Sequence, residues 1–145
     1  HAMPMPKKAK FIPQIPKVVP KFLQHFDLAL EKGALALAGN REAVLHGWCR
    51  FAQPPEAITT SHLINLMDCW PPTMLQMLRL PAAASTMSWN IEFIQPDFSL
   101  APTDWVACQC SASHIQDGYG HEESTFWTTD GKVLAYSRQV VTVFA

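Results

Sequence analysis

Charge is scarce in this chain. Aspartate, glutamate, lysine and arginine make up 16% of the 145 residues, with a net charge of −1; a globular domain usually carries about 25%. No long basic run occurs, which excludes bulk electrostatic attraction to nucleic acid. A surface so poor in charge implies cover from another domain or subunit. Long apolar runs are missing as well, and none reaches the roughly 18 residues of a membrane helix. The opening "HAMPMPKKAK" has lysines but no apolar core behind them, so it does not read as a secretory signal. The four cysteines, Cys49, Cys69, Cys108 and Cys110, form no CxxC pair, and no His/Cys cluster has zinc spacing. No metal and no cofactor is expected. The thiols read as reduced and buried, in a cytoplasmic protein.

What is present suits one domain. Apolar residues reach 48%, enough for a core. Residues 1–20 are set apart by Pro4, Pro6, Pro13, Pro16 and Pro20, a density that prevents helix and central strand. This stretch reads as a tag remnant (His1-Ala2-Met3) followed by a Pro-rich arm or linker whose apolar residues can lie along a surface. Residues 21–145 form the domain. Alternation at Phe22, Gln24, Phe26 and Leu28 favours a strand over 21–38. "GNRE" (39–42) is a turn, and "AVLHGWCRFAQ" (43–53) a strand stopped by Pro54-Pro55. Thr59, Thr60 or Ser61 can cap a helix carrying Leu63, Ile64, Met67 and Trp70 at helical spacing. Pro71-Pro72 must end it, and Met74, Leu75 and Leu78 form a further short turn. Strands follow over 85–95, 104–116, 121–130 and 132–145, with turns at "DGYG" and "DG". The order β-β-α-β-β-β-β predicts an α+β fold, an antiparallel sheet wrapped around one helix.

Two polar residues stand out. Asp68 occupies "INLMDCWPP" (64–72), among residues that read as the buried part of the helix. An unpaired carboxylate there needs partners or a cavity. On the last strand Val133, Ala135, Ser137, Gln139, Val141 and Val143 share a face. Gln139 is the long polar residue in that row, and if the row faces the helix it needs partners too. Taken alone, Asp68 reads as a surface acid in a last helical turn and Gln139 as a rim glutamine.

"GKVLAYSRQVVTVF" after "TTDG" resembles the last strand of the acyl-CoA thioesterase II group, thioesterase-like proteins with a double hot-dog fold. "LINLMDCWPP", "STMSWNIEFIQP" and "DWVACQCSASHIQDGYGHEESTFWTTDG" agree with its helix, next strand and hairpin. The resemblance covers roughly 40–145, and more loosely the arm. It implies a hot-dog fold and a catalytic Asp, Thr and Gln at Asp68, Thr86 and Gln139. It implies an acyl-CoA substrate whose thioester is hydrolysed by a water held by these three residues, with Asp68 as base or orienter. Family members carry two hot-dog units, and this chain has room for one, resembling the second half. The partner is then a second hot-dog unit or an identical subunit, and the competing expectation is a non-catalytic half that binds acyl chains or partners.

Other residues read more plainly. His46, His62, His114 and His121 are scattered, without the Asp/His or Glu/His spacing of a hydratase-type hot-dog site, and are expected at the surface or half buried. Met74, Met77 and Met87 read as core filling ahead of an acyl tunnel. Lys7, Lys8 and Lys10 read as a solvated arm ahead of a CoA phosphate contact. The apolar rows Leu134, Tyr136, Val140, Phe144 and Trp89, Ile91, Phe93 imply that the face away from the helix is covered by another chain.

Overall fold

A computed structural model describes residues 19–144; the expectations for the tag remnant, the lysines and most of the Pro-rich arm lie outside the described residues. Six strands form one antiparallel sheet: β1 (Phe26–Lys32), β2 (Val44–Phe51), β3 (Ala83–Phe93), β4 (Val106–Gln116), β5 (Tyr119–Trp127) and β6 (Val133–Phe144). Their order is β1-β2-β4-β5-β6-β3. Among the described residues one α-helix, α1 (Thr60–Asp68), lies between β2 and β3 in the chain. The fold is the expected hot-dog. The expected strand over 21–38 is shorter: Lys21–His25 is a 3-10 turn, and pairing starts at Phe26.

The helix boundaries follow from the sequence. Thr59 Oγ1 accepts the His62 N–H, and the Thr59 N–H donates to His62 Nδ1 at 3.1 Å, a closed capping box. His62 is thereby a capping residue. Asp68 is the last helical residue, because the residue before Pro71 is pushed out of α geometry. Leu63, Leu66 and Met67 are buried against Leu45, Cys49, Val106, Cys108, Phe126 and Ala135 on the sheet. Truncating Leu63, 0% exposed, costs about 2–5 kcal/mol.

The segment after α1 is seated by two glycines. A Cβ on Gly47 would lie 2.5 Å from the Trp70 ring, and one on Gly120 would lie 2.5 Å from Met74 Sδ. No side chain fits at such distances, so both glycines are notches into which the next layer sinks. This puts Trp70 over β2 and the short 3-10 turn Thr73–Met77 over β5.

Burial in the last strand follows the expected row: Ala135, Ser137, Val141 and Val143 are buried and Gln139 is partly buried, whereas Tyr136 and Arg138 are exposed. The expected apolar outer rows need correction. Trp89, Ile91 and Phe93 pack against the core under α1, and Leu134 is fully buried there. The outer face carries Glu123, Arg138, Asn90 and Glu92 beside Tyr136 and Phe144, which are exposed as expected, and a separate apolar cluster in which Ala29, Trp48, Ala107 and Trp127 are covered by Trp105 and Val133. Of the three methionines expected in the core, Met74 is buried, while Met77 and Met87 are exposed.

Candidate functional site

A nine-residue helix is about 13 Å long, and an eleven-residue strand about 36 Å. α1 therefore cannot cover β3 along its length, and the first half of β3 is exposed on both faces. Thr86 lies in that uncovered half. Counting alternation back from the core-facing Trp89 puts Thr86 on the outer face. The pairing corrects this: Ser88 opposes Val140 and Thr86 opposes Val141, with Met87 as an extra residue between them. The bulge turns Thr86 onto the α1 side of the sheet, where Gln139 also points. Gln139 Nε2 donates to Thr86 Oγ1 over 2.6 Å.

Asp68 stands apart from that pair. It makes no hydrogen bond to either residue, and it is exposed at the rim of a cavity of about 560 Å³ whose walls include Phe22, His25, Phe51, His62 and Asn65. The expectation that it lies among buried helix residues is corrected by the helical period: Asp68 follows Asn65 and His62 along the outward face, while Leu63, Leu66 and Met67 turn inward. Partial enclosure in the cavity pushes its carboxyl above the ordinary carboxylate range. Its chain neighbours Met67 and Trp70 reach the other side. They line a small cavity of about 20 Å³ together with Gln139, Glu122, Ser124 and Ser137. Asp68 is thus one residue from the wall of the space that Gln139 enters.

Glu122 is the residue that reading the sequence missed. It is 4% exposed, opposite Gln139 in the β5–β6 register, and accepts the Met74 N–H at 3.0 Å. The signal was there: Gly120, Glu122, Ser124 and Phe126 occupy one alternating row of β5. In sequence, Glu122 follows the "DGYG" turn and reads as part of its polar flank.

The thiols are poor nucleophiles. Burial holds Cys69 and Cys108 in the protonated form, and burial with the nearby Glu122 carboxylate pushes Cys110 up to about 12. His114 and His121 lie on the outer face with rings 6.1 Å apart, and neither joins Asp68 or Gln139 in a pair. Among the described residues no cluster of His, Cys, Asp and Glu could hold a metal ion. No helix among the described residues is long and apolar enough to cross a membrane.

The fold is that of a hot-dog unit. Residues 2–143 match the family described as acyl-CoA thioesterase C-terminal domain, and the chain belongs to that family. No curated protein matches it. A hot-dog protein of unknown function from Alicyclobacillus acidocaldarius has a TM-score of 0.80 at 21% identity, over 99% of this chain and 53% of its own. The acyl-CoA thioesterase II TesB2 from Mycobacterium marinum has a TM-score of 0.64 at 14% identity, over 99% and 59%. The E. coli PaaI protein from the phenylacetic acid degradation operon gives 0.58 at 15%, over 81% and 80%. The chain spans about half the length of the first two.

Proposed function

We propose that this chain is the catalytic hot-dog unit of an acyl-CoA thioesterase, with Asp68, Thr86 and Gln139 holding the attacking water. The observation that carries the proposal is the Gln139–Thr86 hydrogen bond. It joins a buried-row amide to a hydroxyl that a strand bulge has turned toward it. Because Gln139 donates to Thr86 Oγ1, the Thr86 proton points elsewhere and can donate to water or to a thioester oxygen.

In this reading Asp68 accepts a proton from the water as its oxygen bonds to the thioester carbon. Thr86 steadies the water or the developing oxyanion. The C–S bond then breaks, releasing the free acid, and the proton passes to the CoA sulfur. Asp68, whose carboxyl partial burial raises above its ordinary value, takes and returns that proton. Substrate binding brings the Asp68 rim and the Thr86–Gln139 pair onto the same thioester. No cofactor takes part.

The partner is a second hot-dog unit, supplied by the longer natural chain or by an identical subunit, and it docks along β3. The two free edges of the sheet differ. β1 is short, is interrupted between Leu30 and Lys32, and carries Glu31 and Lys32, the features that discourage edge pairing. β3 runs eleven residues with Glu92 as its one charged residue, and nothing among the described residues pairs its far edge.

Release of CoA thiol from a series of acyl-CoA esters by the full natural chain tests the activity. Turnover that falls in Asp68→Asn, Thr86→Ala and Gln139→Ala supports it; no turnover on any chain length overturns it. The second reading, a non-catalytic half, is favoured by one observation, the separation of Asp68 from the other two residues. Acyl-CoA binding without hydrolysis would establish that reading.

A further inference from the structure

Glu122 is a buried carboxylate that the proposed reaction does not use. No cation among the described residues pairs with it. One carboxylate oxygen accepts the Met74 N–H. The other faces the Cys110 thiol at 3.7 Å, a weak donor. A carboxylate offers about four acceptor sites, so Glu122 keeps acceptor capacity inside the protein. Nearby, the Trp70 indole is 9% exposed, and its Nε1–H has no protein acceptor among the described residues. A buried N–H and a buried carboxylate left in this way are costly unless something bridges them.

The geometry names the bridge. Trp70, Glu122, Gln139, Ser124 and Ser137 line one cavity of about 20 Å³. A water needs about 10–15 Å³ of such space and two to four polar partners. Ser137 already accepts the Trp89 Nε1–H at 2.7 Å, and Ser124 is hydrogen-bonded to the Cys110 thiol, which leaves Trp70, Glu122 and Gln139. Gln139 gives its Nε2 to Thr86, so its Oε1 is the atom in want of a donor. One water could serve all three, accepting from Trp70 Nε1–H, donating one hydrogen to the Glu122 oxygen that faces Cys110, which has acceptor capacity left, and donating the other to Gln139 Oε1.

We propose that this cavity is a one-water site, and that Glu122 is a positioning residue that acts through the water to hold the Gln139 amide with its Nε2 toward Thr86. The buried charge polarises the chain from Trp70 through water and Gln139 to Thr86 and strengthens its last bond. The kinetic part of this proposal rests on the thioesterase reading; the water site does not.

The test has two arms. High-resolution crystals of this chain are expected to show an ordered water within hydrogen-bond distance of Glu122, Gln139 Oε1 and Trp70 Nε1. Kinetics on the full natural chain then compare Glu122→Gln, which keeps the shape and the Met74 bond, with Ser124→Val, which fills the cavity and leaves Glu122 untouched. Both are expected to lower kcat about 10-fold, the worth of one hydrogen bond, with KM and Tm unchanged. A merely structural Glu122 would lower Tm in the first variant and spare kcat in the second. A dry cavity, or a wild-type kcat in either variant, overturns the proposal. If Glu122→Gln fails to fold, Ser124→Val and the density decide. If Gln139→Ala keeps full kcat, the thioesterase reading has failed, and the water site is then judged on the density alone.

Discussion

Gln139 and Thr86 are hydrogen-bonded across the β3–β6 pair at 2.6 Å, at the point where the register of that pair breaks. Because Met87 has no opposite number, two side chains that strict alternation assigns to opposite faces meet on one. The partners also differ in setting: Gln139 belongs to a row that continues into the core, whereas Thr86 lies beyond the end of α1, where the sheet is open.

A double-mutant cycle reads this contact directly. Thr86→Ala and Gln139→Ala are each expected to lower kcat/KM, and the double variant to fall short of their sum. Coupling between contacting residues is typically about 0.5–3 kcal/mol. Strict additivity, within the error of the kcat/KM values, would mean that the two do not act on the same step.

Asp68→Asn is expected to lower turnover about 10²–10⁴-fold, the usual worth of a positioned acid–base group. Its effect on stability has the opposite sign. The folded carboxyl is raised above its ordinary 3.8 by burial, so between the two values the folded state binds more protons than the unfolded one. Stability therefore falls as pH rises through that interval. Melting curves should show Asp68→Asn slightly more stable than wild type at pH 7, with the difference vanishing below the ordinary 3.8. A less stable variant at pH 7 would contradict the burial argument.

Thiol reagents should leave the folded chain alone. Cys49, Cys69, Cys108 and Cys110 are all buried, and three of them are held protonated by their surroundings, while the thiolate is the reactive form. Titration with a chromogenic disulfide is expected to count almost no thiols in native protein and all four after unfolding in guanidinium. Fast labelling of Cys69, which borders the Asp68 cavity, would show that the cavity opens.

Self-association along β3 is expected whenever no second hot-dog unit is attached. A stable dimer buries at least about 1,200 Å² in total. Sedimentation at roughly tens of micromolar, where a moderate interface assembles, should give a dimer or larger species. Met87→Lys, at a position 60% exposed on that strand, should shift it toward monomer by placing a charge at the edge. A wild-type monomer would place the partner surface elsewhere.

Much of the architecture was legible before any coordinates. Pro71-Pro72 sets the end of α1 within the last turn, because proline constrains its own backbone and its neighbour's whatever lies around them. Thr59 caps, and the row through Ala135, Ser137, Gln139 and Val141 turns inward, because helix caps and strand alternation are local rules. Asp68, Thr86 and Gln139 were singled out by resemblance; their residue types in sequence did not reveal what each touches.

The remainder belonged to the tertiary structure. Which face Thr86 takes depends on a bulge, and a bulge arises from the fit of one strand to its partner, which no local pattern records. Glu122 looked like one charge in a polar turn until the Thr73–Met77 segment settled over Gly120 and gave its carboxylate the Met74 N–H. Asp68 reads in sequence either as buried among apolar helix residues or as a surface acid, and the turn of a short helix put it on the outward side. In each case the sequence determined the element and its period, since these come from bonds within a few residues. Only the packing of one element on another decided what each polar side chain faces, since burial and hydrogen-bond partners come from residues far apart in the chain.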